Sequence, residues 1–154
     1  MIKAALLTAI AVLMSATSAL AERIEFYPHE DEPMASYPFS RAVRVGDLLF
    51  LSGDIGLDAE TGKLVSGGMA AEARQTLENI RATLAIHGLT MRHVVKCQVF
   101  LDDMSQWGAF NEVYVEFFEK PFPARAAIGA AGLALGAVLE MDCIAAFSDE
   151  DGSD

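Results

Sequence analysis

Two charged residues toward the C-terminal end, Arg125 and Glu140, have the types and the spacing to do chemistry. Arg125 stands alone in a run of small and apolar residues, 124–129. Glu140 follows fifteen residues later in a second apolar run, beyond a Gly/Ala-rich connection over 129–136. A charge in the middle of a strand-like segment needs either a wet face or a partner. Opposite charges on two consecutive strands therefore form a structural ion pair or line a polar pocket. Strand periodicity assigns the sides: Arg125 shares a face with Ala127 and Gly129, while Ala124, Ala126 and Ile128 take the other. In the last segment Val138, Glu140 and Asp142 share one face and Leu139, Met141 and Cys143 the other. The plainer alternative makes Glu140 and Asp142 a solvated strand face and Arg125 a surface cation.

The elements that must hold these residues are legible upstream. Residues 39–45 and 48–53 read as strands joined by Gly46-Asp47, a two-residue hairpin signal. Residues 58–62 form a second turn, with a short strand near 63–65. A helix follows over 70–87, with an apolar stripe of Ala70, Ala73, Leu77, Ile80 and Leu84 and a stop at Gly88. Residues 94–101 alternate as a strand. Asp102, Asp103 or Ser105 can cap a second helix over about 105–119, which ends before Pro121. Its Trp107, Phe110, Tyr114 and Phe117/Phe118 form an aromatic stripe that reads as core. This order predicts an α+β domain with two helices on one face of a sheet. The other face must also be covered if it is apolar.

Residues 1–21 read as a cleavable export signal: Lys3, an apolar stretch over 4–14, then Ala19-Leu20-Ala21. That stretch is shorter than the roughly 20 residues a membrane span needs. The expected mature chain, 22–154, has an extended N-terminal arm (22–37), one domain (38–147) and an acidic tail (148–154). Its expected location is the bacterial periplasm or the exterior. The whole chain carries a formal charge of −11, which argues against nucleic acid or an anionic membrane as partner. His29, His87 and His93 lack ligand spacing, so no metal site is expected. Cys97 and Cys143 read as free, buried, small apolar fillers. A disulfide would need their Cα atoms within about 7 Å.

Several separated blocks together resemble one family. F-P-A-R at 122–125, then L-x-x-G-A-x-x-E-x-D-x-I-A ending at Ala145, is similar to the C-terminal signature of the RidA (YjgF-like) imine deaminases. The likeness extends to S-R-A-V-R-V-G-D-L-L-F-L-S-G (40–53), A-R-Q-T-L-E-N-I (73–80), V-V-K-C-Q-V-F-L-D-D-M (94–104) and N-E-V-Y (111–114).

The resemblance implies a chorismate-mutase-like α+β fold, a mixed sheet of about six strands with two helices on one face. It implies a homotrimer around a central barrel, with ligand clefts between subunits. The implied reaction is cofactor-free hydrolysis of 2-imino or enamine acids to 2-keto acids and ammonia. Arg125 would grip the substrate carboxylate and Glu140 would handle the attacking water, with Phe39, Ser52, Gly53, Asn111 and Ala127 lining the cleft. The chain departs from the pattern at Phe39 (often Tyr), Asp54 (commonly Gln), Ala126 (usually Ser or Thr) and Ala134 (usually Pro). The departures leave the Arg/Glu pair and strip hydrogen bonds around it, so weak activity or an altered substrate preference is expected. The alternatives are a non-catalytic module for small carboxylates and a structural trimer with an unused cleft.

Overall fold

The structure is a computed structural model that describes residues 24–30 and 34–148. The expected export signal and nearly all of the acidic tail lie outside the described residues. The elements are β1 (Ile24–Tyr27), β2 (Ala42–Val45), β3 (Leu48–Leu51), α1 (Gly68–Ile86), β4 (Val94–Leu101), α2 (Trp107–Phe117), β5 (Ala124–Gly129) and β6 (Leu139–Ala146). The strands form one six-stranded sheet in the order β1-β2-β3-β6-β4-β5. Every neighbouring pair is antiparallel except β4–β5, a parallel pair bridged by α2. This is the mixed α+β sheet that the sequence implies.

Local chemistry explains most boundaries. The β2–β3 hairpin turns at Gly46, whose φ of 56° suits a residue without a Cβ. α1 buries Met69, Ala73, Leu77, Ile80 and Leu84, so the apolar stripe starts at Met69 and the expected Ala70 is exposed. Ahead of α2, Asp103 caps a short 3-10 turn by accepting the Ser105 N–H at 2.9 Å. The helix proper then begins at Trp107. The expected strand near 63–65 is only a single bridge between Leu57 and Leu64. Part of the expected arm belongs to the sheet, because Ile24–Tyr27 pairs with Val45–Ala42.

The core lies between the helices and one sheet face. Along β6, Leu139, Met141, Cys143 and Ala145 are fully buried there, alternating with half-buried Glu140, Asp142, Ile144 and Ala146. From the helix side, Phe110, Leu77 and Ile80 close over them. Glu72 on α1 is buried, and its Oε2 accepts the Val138 N–H at 2.9 Å, fixing the start of β6 two residues before Glu140.

Cys97 and Cys143 correct an expectation. They are register partners on β4 and β6, their Cα atoms are 4.1 Å apart, and they form a disulfide. The reading as free thiols fails because β6 lies directly against β4, a neighbourhood that neither strand's own pattern reveals.

The opposite sheet face is uncovered among the described residues and is apolar over β1, β2 and β3, with Lys96, Gln98, Glu140 and Asp142 on its β4–β6 part. Phe26, Val43, Phe50 and Ile144 are successive register partners across it. Ile24, Phe26, Leu48, Phe50 and Ile128 are all exposed, Phe26 by 67%.

Candidate functional site

Strand order decides where the two charged residues point. β4 lies between β5 and β6, so the strands of Arg125 and Glu140 are not neighbours. Arg125 is the register partner of Cys97, which pairs with Cys143. Directly paired residues share a face, and Glu140 is an odd number of residues from Cys143. Arg125 therefore faces the helix layer, Glu140 faces the open side, and no ion pair joins them.

The residues expected at the cleft accordingly fall into two groups. Phe39, Ser52, Gly53 and Glu140 line one cavity of about 660 Å³, bounded further by His29, Tyr37, Asp54 and Asn79. The Glu140 carboxylate occupies the space in front of Gly53. A Cβ added there would collide with Glu140 Oε1 and lie 3.1 Å from its Cδ. Glycine thus leaves room for the carboxylate at this position, which a side chain on residue 53 would displace. Among the described residues nothing hydrogen-bonds that carboxylate or pairs with it. Ser52 Oγ donates to the Ser40 carbonyl at 2.7 Å. The Phe39 ring stacks on Tyr37 and meets His29 edge-on, each with centroids 5.7 Å apart.

The second group, Asn111, Arg125 and Ala127, sits at the far edge of the sheet. Arg125 Nη2 donates to Asn111 Oδ1 at 2.7 Å. The guanidinium carbon lies 4.3 Å from the Tyr114 ring centroid, 4.8 Å from that of Trp107 and 5.3 Å from that of Phe110. Three aromatic faces and one amide hold the planar group, at about 0.5–2 kcal/mol per cation–π contact. Its Nη1 is buried without a hydrogen-bond partner among the described residues. Ala127, two residues on, shares that side and packs against the core.

Trp107, Asn111 and Tyr114 recur at steps of four and three, so the helical spacing that marked a core stripe also held the signal for this shelf. Asp54, a departure from the family pattern in sequence, is a further neighbour of Glu140 in the cavity. Its carboxyl is pushed up to about 6, mainly by burial and slightly by the Glu140 charge, against the Asn79 hydrogen bond, the Ile55 N–H and the Arg41 charge. Asn79 Nδ2 reaches Asp54 Oδ1 at 3.2 Å and the carbonyls of Ile55 and Leu57 at 3.1 and 2.9 Å.

An acid whose folded pKa lies above its ordinary 3.8 is destabilising while ionised. The stability gained on protonation is complete below the unfolded value and is lost as pH rises through about 6. Two pKa units correspond to about 3 kcal/mol. Asp54→Asn should therefore exceed the parent in urea stability by up to about 3 kcal/mol at pH 8, and the gap should close near pH 4. An identical gap at both pH values would contradict this.

With the geometry in place, comparison with known proteins decides the family. The family model described as Endoribonuclease L-PSP matches residues 29–147. The chain belongs to the RidA (YjgF-like) family. One family relative is Protein DfrA of Myxococcus xanthus, 42% identical over 120 residues, which cover 76% of this chain and 92% of that protein. The human protein named 2-iminobutanoate/2-iminopropanoate deaminase is 42% identical over 113 residues, covering 73% of this chain and 82% of its own. Among solved structures, RidA from the Antarctic bacterium Psychrobacter aligns with a TM-score of 0.74 at 37% identity. That alignment covers 80% of this chain and 99% of the solved chain. The RidA fold thus accounts for the sheet order and both helices.

Proposed function

We propose that the protein hydrolyses 2-imino acids and their enamine tautomers to 2-keto acids and ammonia, in clefts between neighbouring copies of this chain in a homotrimer. The observation that carries this reading is the division of the polar machinery. Glu140 projects from the open sheet face beside Gly53 with unused acceptor capacity, while Arg125, with an unpaired donor, is pinned at the opposite edge of the sheet. Each half lacks what the other offers. An exposed apolar sheet face needs a cover, and a head-to-tail ring of copies brings one chain's β5 edge to the next chain's Glu140 cavity.

In that arrangement Arg125 forms two parallel hydrogen bonds to the substrate carboxylate. Glu140 orients a water and takes its proton as the oxygen bonds to C2 and the C=N pair moves to nitrogen. The resulting carbinolamine receives that proton on nitrogen. Its C–N bond breaks as Glu140 passes the hydroxyl proton to nitrogen and the oxygen collapses to the ketone, releasing ammonia. The substrate supplies its own electrophile, so the residues' task is positioning and proton transfer.

Export fits the same reading, since a buried disulfide suits an oxidising compartment. The charge of −11 weighs against a ribonuclease reading of the family description. One observation favours a second reading, a non-catalytic module for small carboxylates. The Ser52 hydroxyl is engaged by Ser40, and Phe39 and Ala126 bring no hydroxyl to the cleft. The test supplies the purified protein with an imino acid generated in situ by an amino acid oxidase. Keto-acid release above the buffer rate supports the deaminase. Ligand-induced stabilisation with no rate increase supports the binding module.

A further inference from the structure

The deaminase reading leaves one side of the Glu140 cavity without a task, and there Arg41 stands out. Its backbone is fixed from both sides: its N–H donates to the Tyr27 carbonyl at 2.8 Å, and its own carbonyl accepts the Ser52 N–H at 3.1 Å. The residue is half-buried and borders the same cavity as Glu140 and Asp54, and its charge acts on two groups of that cavity, Asp54 and His29. Among the described residues its guanidinium makes no hydrogen bond and no ion pair. Glu30 borders a smaller hollow on its other side without reaching ion-pair distance.

Asp54 feels the Arg41 charge but makes no ion pair with it, since its carboxyl is hydrogen-bonded by Asn79, which also ties down the loop that follows β3. The remaining basic group of the cavity, His29, has its pKa lowered by burial and by Arg41 itself, which leaves Arg41 as the cavity's cation. The cavity lining includes apolar Tyr37, Phe39, Leu57 and Leu135 and, besides Asp54 and Glu140, a third acid, Asp58. A guanidinium partly withdrawn from water, with five donors and no acceptor, is a binding group awaiting an anion.

We infer that Arg41 receives a second carboxylate at the far end of the substrate, so that the cleft is built for 2-imino and 2-oxo dicarboxylic acids. This rests on the deaminase reading for the position of the reacting end. The first carboxylate is held by Arg125 of the adjacent copy, C2 lies at Glu140, and the side chain runs across the apolar lining to Arg41. A substrate with a purely aliphatic side chain fills the same space and leaves the guanidinium unpaired. A site built around a polar group discriminates strongly against the analogue that lacks it.

The experiment is calorimetric titration of the intact protein with 2-oxoglutarate and 2-oxopentanoate, equal in chain length and differing in the distal carboxylate. The expected result is at least tenfold tighter binding of 2-oxoglutarate, as a charge-assisted bidentate contact implies. Arg41→Gln should erase that preference while leaving 2-oxopentanoate affinity and the melting temperature unchanged, which shows an intact fold. Equal affinities in the parent, or a preference that survives Arg41→Gln, overturn the inference even if imine hydrolysis is demonstrated. A preference lost in Arg41→Gln from a protein without turnover supports the inference and sinks the deaminase reading. Failure of both acids to bind overturns both.

Discussion

Arg125→Ala is expected to lower kcat/KM for imine hydrolysis by about 30- to 5000-fold, the equivalent of the 2–5 kcal/mol that follows truncation of one partner of a buried charge pair. The loss should fall mainly on KM, because the guanidinium holds the carboxylate before and during reaction. Arg125→Lys should recover little. The Tyr114, Trp107 and Phe110 faces and the Asn111 Oδ1 fit a flat fork, and a lysine ammonium offers a point charge in its place. Glu140→Gln should instead lower kcat by about 10²–10⁴-fold, the range of a positioned general base, with KM nearly unchanged. Steady-state kinetics on the two variants checks this split. Parental kinetics in Arg125→Ala would remove its assigned role.

Loss of the Cys97–Cys143 disulfide is expected to be the largest single stability effect in the molecule. The bridge closes a loop of 46 residues in sequence separation, which restricts the unfolded chain by about 4 kcal/mol in the loop-entropy account. Both sulfurs lie in a core that is 0–1% exposed, so the Cys97→Ala/Cys143→Ala pair also forfeits packing between β4 and β6. The double variant should melt about 10 °C or more below the parent. Alkylation in denaturant should label neither cysteine before reduction and both after it. Two reactive thiols in the unreduced protein, or equal melting temperatures, would contradict the bridge.

The fold was legible wherever one segment carries its own signal. β6 alternates apolar and polar over 139–143, and α1 shows its stripe at three- and four-residue steps, because side-chain direction is set within each element. What could not be read was anything that depends on which strands are neighbours. Arg125 and Glu140 look like a pair on consecutive strands, but β4 lies between those strands and the parity of its register sends the two side chains to opposite faces. The same blind spot hid the disulfide.

Ile24–Tyr27 was too short a run, in too acidic a neighbourhood, to announce a strand before β2 was there to pair with it. For the site, the RidA-like blocks named Glu140, Gly53, Asn111 and Arg125. They were silent on Trp107 and Tyr114 as a shelf and on Arg41 as a cavity cation, since stacking and a missing partner are properties of space.

The reading depends on each cleft being completed by two copies of the chain, and mixing tests that directly. Arg125→Ala and Glu140→Gln proteins, each impaired in kcat/KM, are unfolded together in equal amounts, refolded, and assayed at substrate well below the parental KM. In a ring of head-to-tail contacts, a random mixture leaves about a quarter of the clefts with both residues intact. The account therefore expects about a quarter of the parental activity to return. If the mixture is no more active than either variant refolded alone, while the parent regains full activity under the same treatment, Arg125 and Glu140 do not meet across a subunit boundary.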